Sequence, residues 1–94
     1  MSATDVTQLI HRLENLLKSL ERFDNELDSD FSSLDTYWSR LDQVWGGVAY
    51  QEFVSSWNSA RAMIRQYTNL SYRYEHFLQE RIEALKKVEK TGGL

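Results

Sequence analysis

The side chains able to carry chemistry are few and scattered. His11 and His76 are the only imidazoles, and cysteine is missing altogether. Two lone histidines give too few ligands for a zinc site, which takes four donors or three and a water. By helical angle both point away from the main apolar stripes, as exposed titrating residues do. Carboxylates and hydroxyls are plentiful, but on helix surfaces they meet no pocket that would shift a pKa toward catalysis. A narrow helical bundle also offers no obvious concave site. No catalytic residue, metal or cofactor is expected, and the chain is read as a non-enzyme. Arg81, Lys86, Lys87 and Lys90 read as a solvated helix end rather than a nucleic-acid or lipid contact. Tyr50, Trp57, Tyr67, Tyr72 and Tyr74 read as core or interface anchors, large in area with a polar handle.

The elements that hold these residues follow from composition. The chain has 94 residues, no proline and four glycines. That length suits one domain. So few turn formers argue against a β-sandwich or barrel. Apolar residues make up 41% and aromatics 13%, enough to require a buried face. The formal net charge is −3, without the basic footprint of a nucleic-acid binder. It is unevenly spread. Residues 1–44 carry nine acids and four bases, and residues 45–94 carry five acids and seven bases. Halves of opposite sign suit an antiparallel hairpin. The fold class expected is all-α, an antiparallel hairpin of two long helices.

Leu9, Leu13, Leu16, Leu20, Phe23, Leu27, Phe31, Leu34, Trp38, Leu41 and Trp45 recur every three or four residues. At about 100° per residue they occupy a wedge of roughly 80°. This predicts helix one over about 5–44, capped by Ser2 or Thr4, with Asp5 beside the positive end of the dipole. A 4-4 step at Leu27 cancels heptad drift and predicts a nearly straight helix. The turn falls at 45–47, where Gly46 and Gly47 break the pattern. Ala49, Phe53, Trp57, Ala60, Ile64, Tyr67, Tyr74, Leu78, Ile82 and Leu85 then predict helix two over about 48–90, with Ser71 as a polar interruption. A tight turn makes the helices antiparallel neighbours, with residue i opposite roughly 92 − i. Asp28, Asp30 and Asp35 then lie near the level of Arg61 and Arg65.

One seam uses one stripe per helix, and apolar residues are left over. Met63, Leu70, Phe77 and Val88 form a second stripe on helix two. Ile10 and Leu17 flank the first stripe of helix one on one side, Tyr37 and Val44 on the other. A two-helix hairpin cannot cover all of these, and helices draw most of their stability from packing. These eight residues are the expected dimer interface, in a four-helix bundle that is a homodimer or a heterodimer.

The turn reads Trp45-Gly46-Gly47-Val48-Ala49-Tyr50-Gln51-Glu52-Phe53, that is, Trp-x-Gly-x-Ala-x-x-x-Phe. Length, hairpin and central motif together resemble the bacterial Trp-x-Gly (WXG) family of the early secreted antigen type. The resemblance implies export as a folded dimer by type VII (ESX-like) secretion, with Trp45, Gly46, Gly47, Ala49 and Phe53 as the motif read by the machine. It implies as partners another WXG-like helical protein, a larger type VII toxin and the secretion ATPase. The pattern departs in one respect. The residues four after Tyr67, Tyr72 and Tyr74 are Ser71, His76 and Leu78, so the family's Tyr-x-x-x-Asp/Glu export signal is missing and a partner is expected to supply it. The N-terminus lacks a Sec-type pattern and no run of 18 apolar residues exists, so neither a Sec leader nor a membrane-spanning helix is expected. The localisation implied is secreted, made in the cytoplasm. Two other functions fit the same residues: a cytosolic structural or adaptor hairpin, and a chaperone for a larger exported toxin.

Overall fold

A computed structural model describes residues 3–41 and 46–92. Two long helices pack as a hairpin, α1 (Ala3–Leu41) and α2 (Val48–Thr91), with no strand among the described residues. Both helices lie close to the bounds expected from periodicity. Thr4 falls inside α1 rather than capping it, and Ser2 is outside the described residues, as are Val44 and Trp45. Asp5 occupies the first turn of α1, while Arg40 and Lys90 sit in the last turns of α1 and α2. Each charge opposes the local end of its helix dipole.

Gly47 and Gly92 punctuate the helices. Gly47 has φ of 93°, a left-handed conformation that costs other residues roughly 1–2 kcal/mol. Its carbonyl accepts the Gln51 amide at 3.1 Å, which starts α2. Gly92, at φ 68°, donates its amide to the Glu89 carbonyl at 3.3 Å and stops the helix.

The hairpin comprises two compact units. The first joins residues 1–23 to 71–94 and the second is residues 24–70. The first has an aliphatic core. Val6, Ile10 and Ile82 are 1%, 3% and 5% exposed, and Leu13, Leu17 and Leu85 pack around them. Two polar contacts flank it, from the Thr7 hydroxyl to the Glu89 carboxylate and from Lys86 to Glu14 at 3.2 Å.

The second unit is held by aromatic rings. Phe31 stacks on Trp57 with centroids 5.0 Å apart and planes 13° apart. Trp38 meets Phe53 at 4.3 Å, and Phe53 lies near-parallel to Trp57 at 6.4 Å. Offset and tilted ring pairs of this kind add about 0.5–1.5 kcal/mol each beyond area burial. Trp38 opposite Phe53 and Phe31 opposite Trp57 match the antiparallel register expected from the turn.

The seam departs from the expected stripe on α1. Leu16, Phe23 and Leu34, all within the 80° wedge, are exposed. Val6 and Ile10 are buried instead, and Asp24 is only 2% exposed. The face turned to α2 is therefore rotated toward the Ile10 and Leu17 flank. One neighbouring helix covers a limited arc, so a wide apolar stripe must leave one edge outside. Ile10 and Leu17 serve the hairpin's own seam rather than a spare face.

Candidate functional site

Asp35, in the second unit, takes two hydrogen bonds from α2. The Trp57 indole nitrogen donates to its Oδ1 at 2.9 Å, and the Arg61 guanidinium donates to the same oxygen. The expected pairing register sets 35 opposite 57, so the arrangement follows from the turn position. Sequence reasoning anticipated the arginine but not the indole; the register itself was the signal for Trp57. The Trp57 hydrogen bond first, and the Arg61 hydrogen bond second, hold the Asp35 carboxyl below its ordinary value of 3.8, against a raising effect of burial.

A carboxylate with a lowered pKa favours the fold above its ordinary value and loses that contribution as pH falls through the lowered one. Wild-type protein is thus expected to lose more stability than Asp35→Asn between neutral pH and pH below 3.8. Urea unfolding midpoints at the two pH values check this. Equal losses in the two proteins would show that Asp35 does not tie α1 to α2.

A shallow open groove runs past Asp35, lined among others by Asp28, Ser32, Arg61 and Arg65. The charge of Asp35 is answered by two donors, Trp57 and Arg61. Among the described residues no group of three or more His, Cys, Asp or Glu side chains is placed to hold a metal ion. His76 pairs with Glu80 at 2.9 Å on the exposed surface of α2, and His11 is exposed on α1. Of the basic helix end, Lys86 is tied to Glu14, while Arg81, Lys87 and Lys90 are exposed.

The motif residues separate by role. Gly46, Gly47 and Ala49 are exposed at the start of α2, and Phe53 is half-buried in the aromatic cluster. Trp45 lies outside the described residues. Gly46 and Gly47 have open space where a side chain would begin, so the conformation of Gly47, not crowding, selects glycine there.

The hairpin leaves a set of apolar side chains uncovered. Tyr37, Met63, Leu70, Phe77 and Val88, all expected at an interface, are exposed, Met63 to 69%. Val44 is outside the described residues. Leu16, Phe23, Leu34, Tyr67 and Tyr74 join them from the main stripes. Helical geometry groups these residues. At about 100° per residue, each set lies roughly a quarter turn from the buried face of its helix, in the same rotational sense. In antiparallel helices equal rotation away from the seam brings both sets to one side. In the first unit Leu16 and Phe23 on α1 thus share a side with Tyr74, Phe77 and Val88 on α2. In the second unit Leu34 and Tyr37 share a side with Met63, Tyr67 and Leu70. Single exposed apolar residues are ordinary, whereas rows of them on one side mark interaction surfaces.

No helix among the described residues is long and apolar enough to cross a membrane. No family model, no curated protein and no solved structure matches the chain.

Proposed function

We propose that this chain is a small non-enzymatic pairing protein, a substrate or co-secreted partner of a type VII (ESX-like) secretion system. It acts by seating its exposed apolar side on another helical chain to complete a four-helix bundle. The observation that carries the reading is the row of exposed Met63, Leu70 and Tyr37 in the second unit, with its counterpart Phe77 and Val88 in the first. Rows at helical spacing fit a packed helix better than a small ligand. The secretion link rests on the Trp-x-Gly-x-Ala-x-x-x-Phe pattern at the junction of α1 and α2. The positive φ of Gly47 supports a glycine requirement at that junction.

The missing acid four residues after Tyr67, Tyr72 or Tyr74 favours a chain exported through its partner. It equally fits a chaperone that masks the helical targeting region of a larger toxin. A cytosolic adaptor would use the same apolar side without the motif. Export of Trp45→Ala from a host carrying the secretion system separates these readings. Loss of export, with the complex still folded and of wild-type mass, supports recognition through Trp45. Wild-type export of a folded Trp45→Ala complex would remove the motif from the reading and leave only a pairing hairpin.

A further inference from the structure

We infer that the second unit opens on its own while the first stays closed, with the Asp35 carboxylate, held by Trp57 and Arg61, as its latch.

The argument is where apolar surface is buried. Among the described residues, Val6, Ile10, Leu78 and Ile82 are the apolar side chains less than a tenth exposed, and all four belong to the first unit. The described residues of the second unit include none. The one buried side chain there is the polar Asp24, 2% exposed. Its inward rings, Phe31, Trp38, Phe53 and Trp57, are half-buried. Helices draw most of their stability from packing. Segments with few buried apolar contacts therefore open at a lower free energy than the rest of a fold.

Hairpin geometry alone would give the opposite order. Chain ends ordinarily loosen first, and parting them leaves no loop to close. Opening the second unit instead leaves residues 24–70 as a loop held shut by the first. That penalty grows only with the logarithm of loop length. Parting the first unit would expose four buried aliphatic side chains, a cost proportional to area. The buried aliphatic core therefore decides the order. What closes the second unit is ring stacking and the latch. The Trp57 indole donates to Asp35 Oδ1 at 2.9 Å and the Arg61 guanidinium donates to the same oxygen. Both donors stand on α2 and the acceptor on α1, so releasing Asp35 unties the helices there. Opening uncovers Phe31, Trp38, Phe53 and Trp57, while α1 and α2 remain joined through the first unit.

Native-state hydrogen exchange of the full chain, read amide by amide by NMR and corrected for intrinsic rates, tests this. In wild type the amides of residues 27–39 and 50–67 should exchange at least about tenfold faster than those of residues 6–17 and 75–86. Ile10→Val with Ile82→Val should speed the first unit at least about fivefold. It should leave the second unchanged to within about twofold, because the second opens without parting those residues. Arg61→Ala should speed both units by one shared factor, at least about threefold, because the first parts only after the second. Equal protection in the two units of wild type, or weaker protection in the first, would overturn the inference. So would a double valine variant that speeds both units alike, since the hairpin would then open as one body. Unchanged exchange of the second unit in Arg61→Ala would overturn the latch.

Discussion

Trp57→Ala is expected to destabilise the protein by about 3 kcal/mol, the low end of the roughly 3–5 kcal/mol found for aromatic truncations in cores. The low end applies because Trp57 is half-buried. Its ring is nevertheless the hub of the second unit. It stacks on Phe31 at 5.0 Å, lies parallel to Phe53 at 6.4 Å and faces Trp38 at 6.3 Å. Truncation removes all three contacts and the indole donor to Asp35 together. Trp57→Phe separates the two contributions. It keeps a ring for Phe31 and Phe53 but removes the donor. The Asp35 carboxyl then loses the larger of its two hydrogen-bonding influences, and the acid sensitivity of wild type should become shallower. Urea unfolding of both variants at neutral and acid pH reads both effects. If Trp57→Ala and Trp57→Phe lose stability equally, the ring stacking contributes nothing and the donor everything.

Ile82→Ala should cost about 2–5 kcal/mol, the usual range for truncating a buried aliphatic side chain. Ile82 is 5% exposed and shares the aliphatic core of the first unit with Val6 and Ile10. A domain of this size has only about 5–15 kcal/mol in total, so the variant sits near the edge of folding. Val88→Ala, one to two turns further along α2 but exposed, removes a similar aliphatic surface. It should change monomer stability by no more than about 0.5 kcal/mol while weakening the pairing proposed above. Hydrogen exchange of monomeric and paired protein distinguishes the two. Lost protection in the monomer is expected for Ile82→Ala alone. Comparable monomer losses in both would place Val88 in the hairpin core.

These two positions show how much was legible beforehand. Leu78, Ile82 and Leu85 read as one stripe of α2, and they are the residues of that stretch that turn inward. The stripe of α1 read less well. Its residues form a wedge with no internal marker of which edge faces α2, so Leu16 and Phe23 looked as buried as Leu13. The aromatic cluster was half legible. Phe31, Trp38, Phe53 and Trp57 were all placed on inward stripes, but stacking depends on ring angles that spacing does not set. The buried Asp24 broke the pattern outright. A charged residue on a helix is ordinarily read as solvated, and nothing in its neighbours marks it otherwise.

The amino-acid order by itself determined the two helices and their register. Periodicity near 3.6 and the conformational freedom of Gly47 are local properties, and a tight turn leaves antiparallel pairing as the outcome. Only the tertiary structure decided how far each helix is rotated about its own axis. Rotation is set by which side chains of both helices interlock, and the apolar arc of α1 is wider than one neighbour can cover. Val6, Ile10 and Leu17 therefore went to the seam, and Leu16, Phe23 and Leu34 to the exposed surface.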